Sequence, residues 1–343
     1  MTGGLQPAGR PAVLAPTQTP AQAAAAYLQA ARAPNTGRAY RADWAHFTSW
    51  CARQGDAAAG YAPLPASPAT VALYLAEHAP TLRVSTLVRR CSAIAAAHAA
   101  AAAGPSPTAD VLVRTTMAGI RRVHGTAQHG KAPLVTAEVR RLLDQLPGGL
   151  LGDRDRALLL LGFASALRRS ELVALDVGDV TVTGDGLVLT VRRSKTDQDG
   201  AGRRLGIPYG SNPDSCPVRA TTTWTAALRA ALEEWVGHPL DGDTFAGRSL
   251  FSPIDRHGRL TPRRLSDKAV ALAVQKYAAR AGLDPSRYAG HSLRAGFATA
   301  AAAAGASERS IMAQTGHKSL PMLRRYIREG SLFRDNAAAQ LGL

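Results

Sequence analysis

Residues 289–300 read AGHSLRAGFATA. His291 and Arg294 stand three apart in this run, so on a helix they share one face. An H-x-x-R pair alone arises by chance in many chains, and its weight depends on what accompanies it. Two other stretches carry polar groups that an ordinary core helix has no use for. In SALRRSELVALDV (165–177), Arg168 and Arg169 interrupt an apolar run. In TGHKSLPMLRRYIREG (315–330), His317 precedes Tyr326 by nine residues, with Arg324, Arg325 and Arg328 close by. Taken singly these are a surface charge, a loop histidine and a packing tyrosine. Their order along one chain is much harder to obtain by accident.

The chemistry of the set is coherent. Arginine offers a planar, permanently charged fork that matches phosphate oxygens. Histidine donates to the same group or moves protons near neutral pH. A tyrosine hydroxyl is a nucleophile that such surroundings could activate. Together they suit in-line attack on a phosphodiester, with the developing charge held by cationic donors. Metal-dependent phosphoryl transfer would instead want clustered carboxylates, which this segment lacks.

Composition points the same way. Lys and Arg number 41 against 25 Asp and Glu, a formal charge of +16, which favours a polyanionic partner such as nucleic acid. The apolar share of 46% supports real cores, and only 5% aromatic residues make them aliphatic and alanine-rich. Cys51, Cys91 and Cys216 are far apart and odd in number, which argues against a disulfide framework or a zinc knuckle and fits a reducing compartment. No signal peptide is evident, and apolar tracts such as AIAAAHAAAAAG (93–104) are too short to span a bilayer. A cytoplasmic location is therefore expected.

The 343 residues allow two domains. Residues 1–20, rich in Pro, Gly and Ala, are expected to be a disordered tail. Residues 21–125 read as an all-α domain. Tyr40, Trp44, Phe47 and Trp50 recur at helical spacing, with Asn35 or Thr36 placed to cap, and Ser67 with Pro68 opens another helix. Glycines, a proline and polar residues mark a linker at 126–134. Residues 135–343 are mostly helical, apart from the β-branched run LVLTVRRSKT (187–196) behind a Gly-Asp-Gly turn, with RRLGIPYG as its hairpin partner. The fold class expected is mainly α in two domains, with a small antiparallel sheet in the second.

With these residues in place, the chain resembles the tyrosine recombinases, the lambda-integrase family, and among them the compact Cre- and Xer-like members. The resemblance runs from about residue 21 to 343. The family's first box is similar to ALRRSEL, which gives a first catalytic arginine at Arg168 and a supporting acid at Glu171. Its hairpin lysine corresponds to Lys195 in RRSKTDQ. Its H-x-x-R box is GHSLR, with His291 and Arg294; its following histidine is His317 and its nucleophile Tyr326. His317 stands where Cre has tryptophan, histidine being the commoner choice. No arm-type DNA-binding domain is expected ahead of residue 21.

The resemblance implies that Tyr326 attacks a scissile phosphate to give a 3′-phosphotyrosine and a free 5′-hydroxyl. Arg168, Arg294 and His317 would hold the non-bridging oxygens, and Lys195 would protonate the leaving oxygen. His291 would assist as proton acceptor or hydrogen-bond donor, and Glu171 would orient the site. It implies no cofactor and no metal. The partner implied is double-stranded DNA with an inverted-repeat target, bound by a homo-tetramer on two sites that is a monomer when free, with exchange through a four-way junction. DNA contacts are expected from Arg38, from Arg89 and Arg90 on a helix entering the major groove, and from Arg121, Arg122, Lys268 and Arg287. The last segment, SLFRDNAAAQLGL, reads as an amphipathic helix that docks on a neighbouring protomer. The same tyrosine chemistry without synapsis would give a type IB topoisomerase-like relaxase, and an unassembled site would leave a DNA-binding regulator. A DDE-type transposase would need the metal-binding carboxylates that are missing here.

Overall fold

Apolar side chains at helical spacing build most of the molecule. The structure, a computed structural model, describes residues 19, 22, 34–55, 60–126, 130–192, 202–317, 319, 320, 323, 324 and 326. The chain forms two units, Met1–His129 and Gly130–Leu343. The tail expected over 1–20 lies outside the described residues except for Thr19. So do Lys195 and the expected C-terminal helix.

The first unit holds four α-helices among the described residues: α1 (Pro34–Gln54), α2 (Pro68–His78), α3 (Val84–Ala100) and α4 (Val111–His124). α1 begins at Pro34, so Asn35 and Thr36 fall inside its first turn and do not cap it; proline suits that opening position because its missing N–H has no helical partner there. Ser67 does cap α2, its side chain accepting from the Thr70 N–H at 3.0 Å. α1 packs on α3 and α2 on α4. Their shared core is Phe47, Trp50, Tyr74, Leu75, Leu87, Ile94, Val113, Met117 and Ile120. Each such side chain taken from water contributes about 1.5–3 kcal/mol. Charge is drawn into this core as well: Asp43 is buried and receives Arg89 through two bonds of 2.6 and 3.0 Å.

The second unit opens with α5 (Thr136–Leu143), α6 (Leu150–Ala164) and the short α7 (Arg169–Ala174). Three antiparallel strands follow in the order β1 (Val180–Thr183), β2 (Gly186–Val191) and β3 (Arg203–Pro208). Thr183 pairs with Gly186 across the first turn, and Val191 pairs with Arg203 where β2 meets β3. The helices α8 (Pro217–Val236), α9 (Gly242–Ala246), α10 (Asp267–Arg280), α11 (His291–Ala303) and α12 (Glu308–Thr315) follow. The sequence announces β2 and β3 but not β1, which is four residues long and mostly solvent-facing.

α6 is the hub. It packs on α8 and α11, and Leu158, Leu161, Trp224, Leu228 and Leu293 join one large core. α11 also approaches the incoming chain closely: a Cβ on Gly296 would lie 1.8 Å from the Leu134 carbonyl oxygen. The Leu134 N–H donates to Ser292 and the Ala132 N–H to Arg287, so residues 132–134 are laced along the start of α11. A separate small cluster, Ala298, Ala302, Ile311 and Leu323, carries Tyr326 at its edge. No helix among the described residues is long and apolar enough to cross a membrane.

Candidate active site and nucleic-acid interface

The first arginine is set by the turn between α6 and α7. Ala166 takes φ +50°, a left-handed conformation that costs a residue with a Cβ about 1–2 kcal/mol. The turn is buried and aims the Ala166 carbonyl at α11, where Arg294 Nη1 donates to it at 2.7 Å. Arg168 follows as the N-cap of α7. Glu171, three residues on, accepts the Arg168 N–H at 3.0 Å and the Arg168 guanidinium at 2.6 Å. One carboxylate thus fixes both the backbone and the fork of the arginine.

α11 supplies the second pair. Arg294 points inward and is only 2% exposed, and its Nη2 finds no hydrogen-bond partner among the described residues. A buried guanidinium normally has its protons satisfied, so this one is a donor aimed at an absent acceptor. Burial, then Arg168 and Arg203, bring its pKa down to about 10 although Glu171 opposes them. His291, one turn earlier on the same face, lies at the mouth of the site with Nε2 2.9 Å from the Tyr326 hydroxyl.

The remaining histidine is placed by a helix end. α12 stops at Gly316, whose φ of +67° is the left-handed closure that glycine makes at low cost. The next residue, His317, turns in to 8% exposure, with its ring 6.0 Å from that of Tyr326 and nearly parallel to it. Its Nδ1 is buried with no hydrogen-bond partner among the described residues. Burial and then Arg294, Arg168, His291 and Arg203 push its pKa down to about 4. His291 is also lowered, by withdrawal from bulk water and then by Arg294, Arg168 and Arg169. At neutral pH both rings are therefore uncharged, each with one nitrogen able to accept a proton.

Arg168, Glu171, His291, Arg294, His317 and Tyr326, drawn from three separated stretches of chain, surround one small volume. Its charged lining is mainly cationic around a single buried carboxylate, which suits an anion. Such an arrangement can seat a tetrahedral phosphate beside a hydroxyl already bonded to a neutral imidazole. Sequence reasoning passed over Arg203, which reaches the same volume from β3 with Nη2 4.0 Å from Glu171 Oε2. The signal was present: along β3 Arg203 shares a face with Leu205 and Ile207, which are buried.

Comparison with known proteins decides the family. The model of the phage integrase family matches residues 134–331. An integrase/recombinase XerD homolog from Selenomonas ruminantium is 41% identical over 313 residues, 90% of this chain and 86% of that protein. The chain belongs to the phage integrase family, the tyrosine recombinases. The tyrosine recombinase XerD of Xanthomonas campestris pv. campestris is 34% identical over 174 residues, 50% of this chain and about half (47%) of its own length. The solved structure of the XerH site-specific recombinase on a palindromic difH substrate, after cleavage, superposes with a TM-score of 0.58. That match covers 80% of this chain and 72% of the other at 17% identity, a likeness of fold. The fold is accordingly that of a tyrosine-type site-specific recombinase: mainly helical, with a three-stranded antiparallel sheet.

The basic residues expected to meet DNA lie differently in the recombinase. Arg38 is exposed on α1 and donates to Asn35 Oδ1 at 3.1 Å. Arg121 and Arg122 are exposed in the last turn of α4, Lys268 is exposed in the first turn of α10, and Arg287 is exposed just before α11. Arg89 is half exposed but engaged with Asp43. Arg90 is 7% exposed, its guanidinium 5.5 Å above the Tyr74 ring and its Nε 3.8 Å from Asp43. The structure brings it into the helical core and not to the surface, because the ring face and the buried carboxylate attract the charge inward. Lys195 lies outside the described residues, between β2 and β3.

Proposed function

We propose that Tyr326 is the nucleophile of a DNA strand-exchange reaction. A scissile phosphate sits among Arg168, Arg294 and His317, whose buried donors meet its non-bridging oxygens. The Tyr326 oxygen attacks phosphorus as His291 Nε2 takes the hydroxyl proton. The bond to the 5′-oxygen breaks on the opposite side, leaving a 3′-phosphotyrosine. Lys195 is the residue assigned to protonate that leaving oxygen. Glu171 holds Arg168 in place and offsets part of the cationic charge when no DNA is bound. Reversal with a 5′-hydroxyl from a second duplex rejoins the strand, and two rounds through a four-way junction complete recombination. The working assembly in this reading is a homo-tetramer on two inverted-repeat sites, formed from monomers when DNA is bound.

The single observation that carries the reading is the 2.9 Å approach of Tyr326 Oη to His291 Nε2 beside the unpartnered Nη2 of Arg294. The test is covalent capture. Full-length protein is incubated with a pool of nicked duplexes of randomised sequence, and adducts are resolved on a denaturing gel and sequenced. The wild type is expected to yield a protein–DNA adduct on a restricted set of sequences, and Tyr326→Phe none. An adduct that persists in Tyr326→Phe refutes the assignment.

A further inference from the structure

Arg203 is the charged residue in this site that the reading above leaves without a task. Its Nη1 donates to the Gln314 carbonyl at 3.2 Å and, more weakly, to the Ala313 carbonyl at 3.4 Å. These carbonyls belong to the last turn of α12, where backbone acceptors run out of helical partners. On its other side Nη2 approaches Glu171 Oε2 to 4.0 Å. The fit to the turn is close: a Cβ on Gly316 would stand 2.5 Å from Arg203 Nη1. Glycine at 316 therefore answers two demands, the left-handed closure of α12 and the approach of the guanidinium beneath it.

A third guanidinium beside Arg168 and Arg294 is electrostatically unwelcome. Burial and then Arg168 lower the pKa of Arg203, with only Glu171 favouring the charge. Its Nε and Nη2 are buried without hydrogen-bond partners among the described residues, while Nη1 is committed to the carbonyls at the end of α12. What the charge does is join three parts that the sequence keeps far apart: β3, the end of α12 and the start of α7.

We propose that Arg203 is a positioning residue of the recombination site, clamping the end of α12 towards Glu171 so that the Gly316 turn presents His317 to the scissile phosphate. This rests on the roles given above to His317 and Tyr326. It acts through geometry: an error of about 1 Å in a positioned group lowers a rate by about a hundredfold.

The test uses full-length protein and one nicked duplex recovered from the capture experiment. Arg203→Ala is expected to slow adduct formation roughly 10- to 100-fold while DNA affinity changes little. Arg203→Lys keeps a charge and one carbonyl bond and should restore part of the rate. Gly316→Ala retains Arg203 but drives a methyl group against it, and should slow cleavage as well. His317, followed by NMR, should titrate above its value of about 4 in Arg203→Ala and return towards it in Arg203→Lys. Wild-type cleavage by Arg203→Ala overturns the proposal, as does equal impairment of the Ala and Lys variants with the His317 titration unmoved. Should Arg203→Ala not fold, the other two variants decide: both cleaving at the wild-type rate overturns it, both slowed with DNA binding retained supports it. Tyr326→Phe run alongside keeps the question separate, since an adduct from that variant would sink the nucleophile and not the clamp.

Discussion

Arg294→Met should leave the DNA-free protein no less stable, and slightly more so, while destroying its cleavage activity. The argument is electrostatic. Arg294 is 2% exposed and has its pKa lowered from 12.5 to about 10 by burial and by neighbouring arginines. At about 1.4 kcal/mol for each pKa unit, keeping the charge there costs the folded state about 3 kcal/mol. Against this stands its bond to the Ala166 carbonyl at 2.7 Å. A charged hydrogen bond of that kind contributes about 1.5–3 kcal/mol. Methionine is flexible enough to fill the vacated space, so the balance favours removal by about 1 kcal/mol or less. For a unit of this size that is a rise in melting temperature of about 2–4 °C at most. Differential scanning fluorimetry of both proteins without DNA reads it directly. Cleavage should fall by about a hundredfold or more, since a preorganised donor to the phosphate is lost. A melt lower than wild type by about 5 °C or more would refute the reasoning, because it would mean that Arg294 is there to hold the fold and not to meet an anion.

Two further perturbations probe the supports of the site. His317 is lowered to about 4, so between pH 6.5 and 4 the unfolded chain holds a proton there that the folded chain does not. Stability present above pH 6.5 is therefore lost as pH falls towards 4, by up to about 3 kcal/mol. His317→Gln should flatten urea-unfolding stability against pH across that window; an unchanged slope would count against the buried neutral ring. Gly296→Ala should destabilise by about 1–3 kcal/mol or more, since its methyl group would meet the Leu134 carbonyl at 1.8 Å and α11 must shift. A urea midpoint equal to wild type would disprove the close approach.

Much of this molecule is written in local pattern. The aliphatic spacing of LLGDRDRALLLLGFA announces α6, and the alternating run behind Gly186 announces β2. The polar residues of the candidate site could be picked out because chemistry restricts which side chains can share such work, and the three stretches that carry them are short. What escaped was tertiary. Nothing in ASALRR marks Ala166 as left-handed, or shows that its carbonyl is met 128 residues away by Arg294. Arg203 reads as one of many surface arginines until the pleat of β3 turns it inward. Arg90 reads the same way until Tyr74 and Asp43, on two other helices, are seen to enclose it. For Ala166 and Arg90 the deciding partner lies far away in sequence, where period and propensity carry no information; for Arg203 the alternation of β3 was the one local signal.

The small cluster beneath Tyr326 has a consequence for how the protein ages and works. Ala298, Ala302, Ile311 and Leu323 form a patch separate from the main core, and half of it is alanine. An alanine methyl removes little surface from water, about 0.8 kcal/mol per carbon, so among the described residues the patch buries far less around its tyrosine than the main core buries around α6. Segments with so few buried contacts open by themselves well before the whole unit does. The backbone amides of Leu323 and Tyr326 would exchange with solvent before those of α6, while the arginines stay assembled. If Tyr326 is the nucleophile proposed above, warming would blunt the blade before it bent the handle, and being folded and being armed would be separate conditions.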